Sequence, residues 1–135
     1  MDAGRSLHVL IVDDDKDTAD SFAALIELWG RVAVAVTTAD AALDEVCRFW
    51  PDVILADIAM PRVSGLQFAK ALRQIPEHGT TPLVAVTGMQ GHREACLAAG
   101  FSDFLLKPVD LKELRGILDA LRETNLHSLL MCASC

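Results

Sequence analysis

The sequence predicts a doubly wound α/β domain in which five parallel strands alternate with five helices. Five short apolar segments rich in β-branched residues recur along the chain, and the stretches between them carry apolar residues at helical spacing. Each segment is apolar for most of its length rather than alternating, which is typical of parallel strands that helices cover on both faces. The length of 135 residues fits one domain with a single core.

Glycine and proline residues mark several boundaries between the predicted strands and helices. Gly30 follows the first helical stretch and Gly100 follows the fourth, while Pro51 precedes the third segment and Pro82 opens the fourth. The five segments are LHVLIV (7–12), VAVAV (32–36), DVILAD (52–57), PLVAVT (82–87) and FSDFLLK (101–107).

The helical stretches place apolar residues three and four positions apart, which is the spacing of one helix face. Strand–helix alternation with right-handed crossovers favours the strand order 2-1-3-4-5, the flavodoxin-like arrangement. The domain is expected to span residues 1–122, and residues 123–135 form a tail that either extends the last helix or is disordered. The first and last helices are indicated by Phe22, Leu25, Ile26 and Trp29, and by Leu111, Leu114, Leu118 and Leu121.

Composition and charge argue against several classes of partner. Hydrophobic residues make up 52% of the chain and charged residues 23%, which describes a globular protein. The formal net charge of −7 opposes nonspecific binding to phosphate backbones, so we expect no direct contact with nucleic acid. The apolar runs are far shorter than the roughly 20 residues that cross a bilayer. The first residues, MDAGRS, lack the apolar core of a signal peptide, so we expect a cytoplasmic protein without a membrane partner.

The cysteines predict neither a disulfide framework nor a zinc site. Cys47 and Cys96 fall among helical apolar positions, where a cysteine usually packs as a small hydrophobic residue. Cys132 and Cys135 have the two-residue gap of a metal or redox pair, but they stand alone at the end of the chain. We interpret them as part of the tail.

Carboxylates follow two strands that are neighbours in the predicted sheet. Asp13 and Asp14 end the first strand, and Asp57 ends the third after a long apolar run. Because the carboxyl ends of parallel strands meet at one edge, the three side chains are expected to converge there. Their repulsion either raises a pKa or requires a cation. Oxygen ligands suit Mg²⁺, for which Mn²⁺ could substitute, and no histidine or cysteine in the pattern suggests zinc.

A hydroxyl and an amine complete this predicted edge. Thr87 ends the fourth strand and Lys107 ends the fifth. With three negative charges and one positive charge, a divalent cation brings the cluster to neutrality. The cluster could then accept a phosphoryl group, with Asp57 as the nucleophile that forms an acyl phosphate.

These motifs together resemble the receiver domain of two-component response regulators. The similarity is carried by LHVLIVDDD, DVILADIAMPRVSG, LVAVTG and DFLLKP, and it covers roughly residues 7–122. It implies a Lys107–Pro108 bond in the cis form. It also implies the following roles: Asp13 and Asp14 as metal ligands, Asp57 as phosphoacceptor and metal ligand, Ala59 as a metal ligand through its carbonyl, Thr87 as switch hydroxyl, Lys107 as the family's lysine, and Phe104 as the aromatic residue that rotates inward.

The resemblance implies a signalling switch rather than an enzyme. Its phosphoryl donor would be a sensor histidine kinase or a histidine phosphotransfer protein. Its output would be a downstream protein or a second copy, bound through the fourth and fifth helices. Ala59 and Met89 offer no polar group to orient an attacking water, so we expect slow loss of the phosphoryl group.

Other interpretations of the same residues remain open at this point. Taken singly, Asp13 to Asp15 could cap the start of a helix, a role that we expect of Asp15 in any case. Thr87 could satisfy backbone groups, and Lys107 could be a solvated charge. A phosphatase of the haloacid dehalogenase type would need a second acid where this chain has Ala59. The main alternative is a receiver-like interaction module that binds partners without phosphorylation.

Overall fold

The five predicted strands pair into one parallel sheet in the order β2-β1-β3-β4-β5, which confirms the predicted fold class and strand order. The computed structural model describes residues 7–60, 64–88 and 93–121. The strands are β1 (His8–Val12), β2 (Val32–Val36), β3 (Val53–Asp57), β4 (Leu83–Thr87) and β5 (Asp103–Leu106).

A helix precedes or follows each strand, as the sequence predicts. The predicted tail, residues 123–135 with Cys132 and Cys135, lies outside the described residues. Within the described ranges, no helix is long and apolar enough to cross a membrane. The helices are α1 (Lys16–Leu28), α2 (Ala39–Phe49), α3 (Gly65–Arg73), α4 (Arg93–Ala99) and α5, which is helical over 111–121, with a 3-10 turn at Pro76–His78.

The core lies in two layers, one on each face of the sheet. Alternate residues of β1 point to opposite faces, so Leu10 belongs to the layer under α2, α3 and α4, while Val9 and Ile11 belong to the layer under α1 and α5. Every residue of β3 and of β4 is buried. This two-sided burial explains why these strands read as continuous apolar runs.

The fifth strand is shorter than the segment that predicts it. It begins at Asp103 and ends at Leu106, so Lys107 follows the strand rather than ending it. The Lys107 amide still donates to the Thr87 carbonyl at 2.8 Å, which extends the pairing by one step. The Lys107–Pro108 bond is cis, as the resemblance implies, and Pro108 has no amide hydrogen to continue the ladder.

Side-chain caps fix where the helices begin. Asp15 caps α1 by accepting the Asp17 amide, and Thr38 caps α2 by accepting the Ala41 amide. Helix α3 begins with a full capping box, in which Ser64 and Gln67 each bond the other's backbone amide. These caps place the amino ends of all three helices at the carboxyl edge of the sheet.

Arg73, in the last turn of α3, joins three segments at the opposite edge. Its guanidinium donates to the carbonyl oxygens of His78 at 3.0 Å, Thr81 at 2.8 Å and Gly100 at 2.6 Å. The Gly100 backbone has a φ of 107°, and a Cβ at that position would lie 2.9 Å from Arg73 Nε. Glycine is therefore required at the end of α4 for both conformation and space.

His78 is buried in the same region, with only 3% of its surface exposed. Its Nδ1 lies 2.9 Å from the Thr81 hydroxyl, and the Trp50 ring packs beside it. Burial lowers the pKa of His78 below its ordinary value of 6.5, against a smaller opposing effect of Glu77. The folded protein therefore holds this imidazole in the neutral form.

We predict that the free energy of unfolding falls as the pH falls below about 6.5. The folded-state pKa is lowered, so the unfolded chain takes up the proton first, and the loss stops below the folded-state pKa. The slope contributed by one histidine is at most about 1.4 kcal/mol per pH unit. Urea unfolding at several pH values should show a smaller dependence for His78→Asn than for the wild type. Equal slopes in the two proteins would contradict the prediction.

Candidate functional site

Three carboxylates meet at the carboxyl edge of the sheet. Asp13 and Asp14 follow β1, and Asp57 is the last residue of the neighbouring strand β3. One oxygen from each carboxylate lies within 4.8 Å of the other two. Asp13 and Asp57 are buried, with 3% and 6% exposure, whereas Asp14 is exposed. The structure thus brings together the three acids that the sequence nominates.

Asp13 is held from two sides. Its amide donates to the Val36 carbonyl at 3.1 Å, which continues the pairing of β1 with β2. Its Oδ1 accepts the Asp15 amide at 2.9 Å, and Asp15 in turn caps α1. The orientation of the Asp13 carboxylate is therefore linked to the start of α1. The sequence predicts a helix cap at Asp15 but does not show that the Asp15 amide also orients the Asp13 carboxylate.

Asp57 lines, together with Asp13, a pocket whose other lining side chains are apolar. Apolar side chains form the floor beneath it, among them Ile11, Leu55 and Leu105. Burial is the main cause that raises the pKa of Asp57, and the charges of Asp13 and Asp14 add to it. Lys107 and the amide of Ala59 oppose that rise. The Ala59 amide donates to Asp57 Oδ1 at 3.1 Å, which fixes one oxygen of the carboxylate.

Lys107 faces both buried acids. Its Nζ lies 3.4 Å from Asp13 Oδ2 and 3.7 Å from Asp57 Oδ2. About a third of the Lys107 side chain remains exposed, so water screens part of its charge. The amine therefore lies between the two strand ends and close to the open side of the site.

Thr87 and Phe104 lie on the strands beyond Asp57. Asp57 pairs in register with Val86, so the fully buried Thr87 is one residue past that pair. Phe104 pairs in register with Ala85 on β5 and packs, partly buried, against the core layer of α2, α3 and α4. Ala59 is exposed in the turn after β3, and Met89 lies outside the described residues.

The site fits a hard divalent cation. Three carboxylates supply oxygen ligands within a few ångströms of one another, and Lys107 offsets only one of their three charges. In the part of the chain that the structure describes, neither histidine nor cysteine joins this group of acids. The donor set is therefore suited to Mg²⁺ or Mn²⁺ rather than to zinc.

A model of the response regulator receiver domain matches residues 9–119, most of the chain. The chain belongs to the response regulator receiver domain family. Receiver domains are signalling switches of two-component systems, and they generally bind Mg²⁺ at an acidic pocket. The resemblance seen in the sequence is thereby confirmed.

Relatives include proteins of very different length. An uncharacterised 14.6 kDa protein of Leptolyngbya boryana is 36% identical over 116 residues, covering 84% of this chain and 88% of the relative. The signal transduction histidine-protein kinase BarA of Escherichia coli strain K12 is 31% identical over 115 residues, and the match covers 84% of this chain. The chain spans only 12% of the length of that kinase.

A solved structure shows the same fold in another kinase. The receiver domain of the sensor histidine kinase PA1611 from Pseudomonas aeruginosa PAO1 is 28% identical, with a TM-score of 0.78. The match covers 87% of this chain and 98% of that one. In that structure a magnesium ion is coordinated in the active site cleft.

We predict that Asp57→Asn stabilises the fold in the absence of metal. The pKa of Asp57 is raised in the fold, so its ionised form costs stability at neutral pH. The amide should increase the free energy of unfolding by about 0.5–2 kcal/mol, the range common for a single stabilising substitution. The gain should disappear as the pH falls through the folded-state pKa toward 3.8, the ordinary value.

Urea unfolding in a chelating buffer, at neutral and acid pH, measures this gain. Asp44→Asn is the matched control, because it removes the same charge from an exposed position on α2. Equal stabilities of Asp57→Asn and Asp44→Asn at neutral pH would show that the cluster is not strained.

Proposed function

We propose that this receiver domain is a phosphorylation-dependent switch in which Asp57 accepts a phosphoryl group in the presence of Mg²⁺. The observation that carries the proposal is the buried strand-end carboxylate of Asp57, flanked by two further acids and faced by the Lys107 amine at 3.7 Å. Repulsion among the acids favours binding of a cation, and the amine favours an incoming phosphoryl group.

The geometry favours Asp57 over its neighbours as the acceptor. Asp13 already accepts the Asp15 amide with one oxygen and faces Lys107 with the other at 3.4 Å. Asp14 is exposed and lacks the enclosed surroundings that strengthen electrostatic contacts. Asp57 uses Oδ1 to accept the Ala59 amide, while among the described residues Oδ2 has only the longer contact with Lys107. Oδ2 is therefore the oxygen available for attack.

The transfer needs little covalent chemistry from the protein. An oxygen of Asp57 bonds to phosphorus, the bond from phosphorus to the donor nitrogen breaks, and the donor imidazole leaves with its electron pair and takes up a proton. Lys107 neutralises charge on the phosphoryl oxygens and helps to keep Asp57 ionised before the reaction. A Mg²⁺ ion held by Asp13, Asp14, Asp57 and the Ala59 carbonyl would supply the remaining neutralisation.

Thr87 and Phe104 would transmit the modification. Thr87 lies at the end of β4 beside Asp57, and its carbonyl bonds the Lys107 amide at 2.8 Å. A phosphoryl group on Asp57 would accept a hydrogen bond from the Thr87 hydroxyl, which would move toward Asp57. The space that the Thr87 side chain leaves would admit the Phe104 ring. The face of α4, β5 and α5 would then change its affinity for a downstream protein or a second copy. Leu97 and Leu106 are exposed on α4 and β5.

The phosphoryl donor in this proposal is a sensor histidine kinase or a histidine phosphotransfer protein. BarA is a histidine kinase, and the PA1611 receiver domain is part of a sensor histidine kinase. The alternative is an interaction module of receiver fold that works without phosphate. In that case, the acids and Lys107 would contribute only to the fold.

We predict that acetyl phosphate with Mg²⁺ adds one phosphoryl group to the wild-type chain. Asp57→Asn should abolish the addition, because the amide is not a nucleophile toward phosphorus, and Asp44→Asn should leave it unchanged. Intact-mass spectrometry with and without a chelator measures both effects. A wild type that stays unmodified, or a modification retained in Asp57→Asn, would favour the interaction module.

We also predict that the phosphoryl group is lost slowly. Ala59 is exposed next to Asp57 and carries no polar group that could orient an attacking water. The second such position, Met89, lies outside the described residues. Decay of a radiolabelled phosphoryl group should take minutes or longer in the wild type and be faster in Ala59→Asn. A half-life of seconds in the wild type would contradict the prediction.

A further inference from the structure

Gly65, the first residue of α3, lies against the backbone of the proposed phosphoacceptor. A Cβ built at Gly65 would lie 2.6 Å from the Asp57 carbonyl oxygen and 2.9 Å from Ile58 Cα. Contacts this short are closer than van der Waals packing allows, and both partners are backbone atoms that cannot rotate away. The backbone of Gly65 is not in the left-handed region, so space rather than conformation requires glycine here.

The turn that carries Asp57 is bonded to the same helix end. The Gly65 amide donates to the Ile58 carbonyl at 3.1 Å, and the Met60 amide donates to the same oxygen at 3.1 Å. The Ile58 amide donates to the Val86 carbonyl at 3.1 Å, which ties the start of the turn to β4. The turn therefore lies between β4 and the first residue of α3.

Helix α3 has little freedom to move away from this turn. Ser64 and Gln67 cap its first turn reciprocally, so the helix begins at a fixed residue. Phe68 and Leu72, one and two turns further on, are fully buried against the sheet. A side chain at position 65 would therefore displace the turn rather than the helix.

We infer that Gly65 is a positioning residue for Asp57: the absence of a side chain lets α3 set the turn from Asp57 to Ala59, and with it the orientation of the Asp57 carboxylate. The link to the carboxylate is the Ala59 amide, which donates to Asp57 Oδ1 at 3.1 Å. This inference rests on the proposed role of Asp57 as phosphoacceptor. It adds a residue that touches neither the metal nor the phosphoryl group.

The first test compares Gly65→Ala with Gly116→Ala. Gly116 is exposed on α5, and a Cβ there meets nothing within 4 Å. With acetyl phosphate and saturating Mg²⁺, Gly65→Ala should be modified about 10- to 100-fold more slowly, the effect of a displacement approaching 1 Å at a reacting group. Gly116→Ala should react at the wild-type rate.

A second readout needs neither metal nor phosphate. In the metal-free protein, hydrogen exchange of the Ala59 amide should be about 10-fold faster in Gly65→Ala than in the wild type, because its bond to Asp57 is weakened. If the wild type is not phosphorylated, the proposed function fails while this measurement still tests the positioning.

Removal of the helix cap separates positioning from loss of stability. In Ser64→Ala/Gly65→Ala, the uncapped first turn of α3 can unwind and relieve the contact, so phosphorylation should be faster than in Gly65→Ala although the double variant melts at a lower temperature. If Gly65→Ala does not fold in buffer, the comparison is made in a stabilising osmolyte. The inference would be overturned if Gly65→Ala reacted and exchanged its Ala59 amide at the wild-type rates. It would also be overturned if the double variant were phosphorylated more slowly than Gly65→Ala.

Discussion

The repulsion among three carboxylates at one sheet edge is the constraint on which the rest of the site depends. Asp13 and Asp57 are both buried there, and an unfolded chain would separate them. The two apolar layers of the core hold the strands in register and so keep the acids close despite that repulsion. Lys107 offsets part of this repulsion, and the negative charge that remains would favour a cation at this edge.

The residues of the site lie next to the last backbone hydrogen bonds of the sheet. Beyond the end of three strands, one further backbone bond continues the ladder, and each of these bonds holds a site residue or its neighbour. Such positions combine the rigidity of the sheet with side chains that reach the open edge, which suits them to the proposed functional groups. The three bonds run from the Asp13 amide to Val36, from the Ile58 amide to Val86 and from the Lys107 amide to Thr87.

The fold was predictable because its signals are local and repeated. Apolar runs, helical spacing and Gly or Pro at the boundaries indicate every strand, and the strand order then brings Asp13 next to Asp57. The sequence could not predict contacts that depend on distance between main chains. Gly65 ends the motif DVILADIAMPRVSG, but the motif does not show why glycine is needed there, whereas in the structure a Cβ at this position would lie 2.6 Å from the Asp57 carbonyl oxygen. Arg73 likewise resembles a solvated helix residue until its three carbonyl partners are known.

The guanidinium of Arg73 also determines how α4 can respond to an event at the acidic edge. Its bond to the Gly100 carbonyl tethers the carboxyl end of this seven-residue helix to α3. A displacement of α4 would therefore be smallest at Gly100, where this bond holds the helix end to α3.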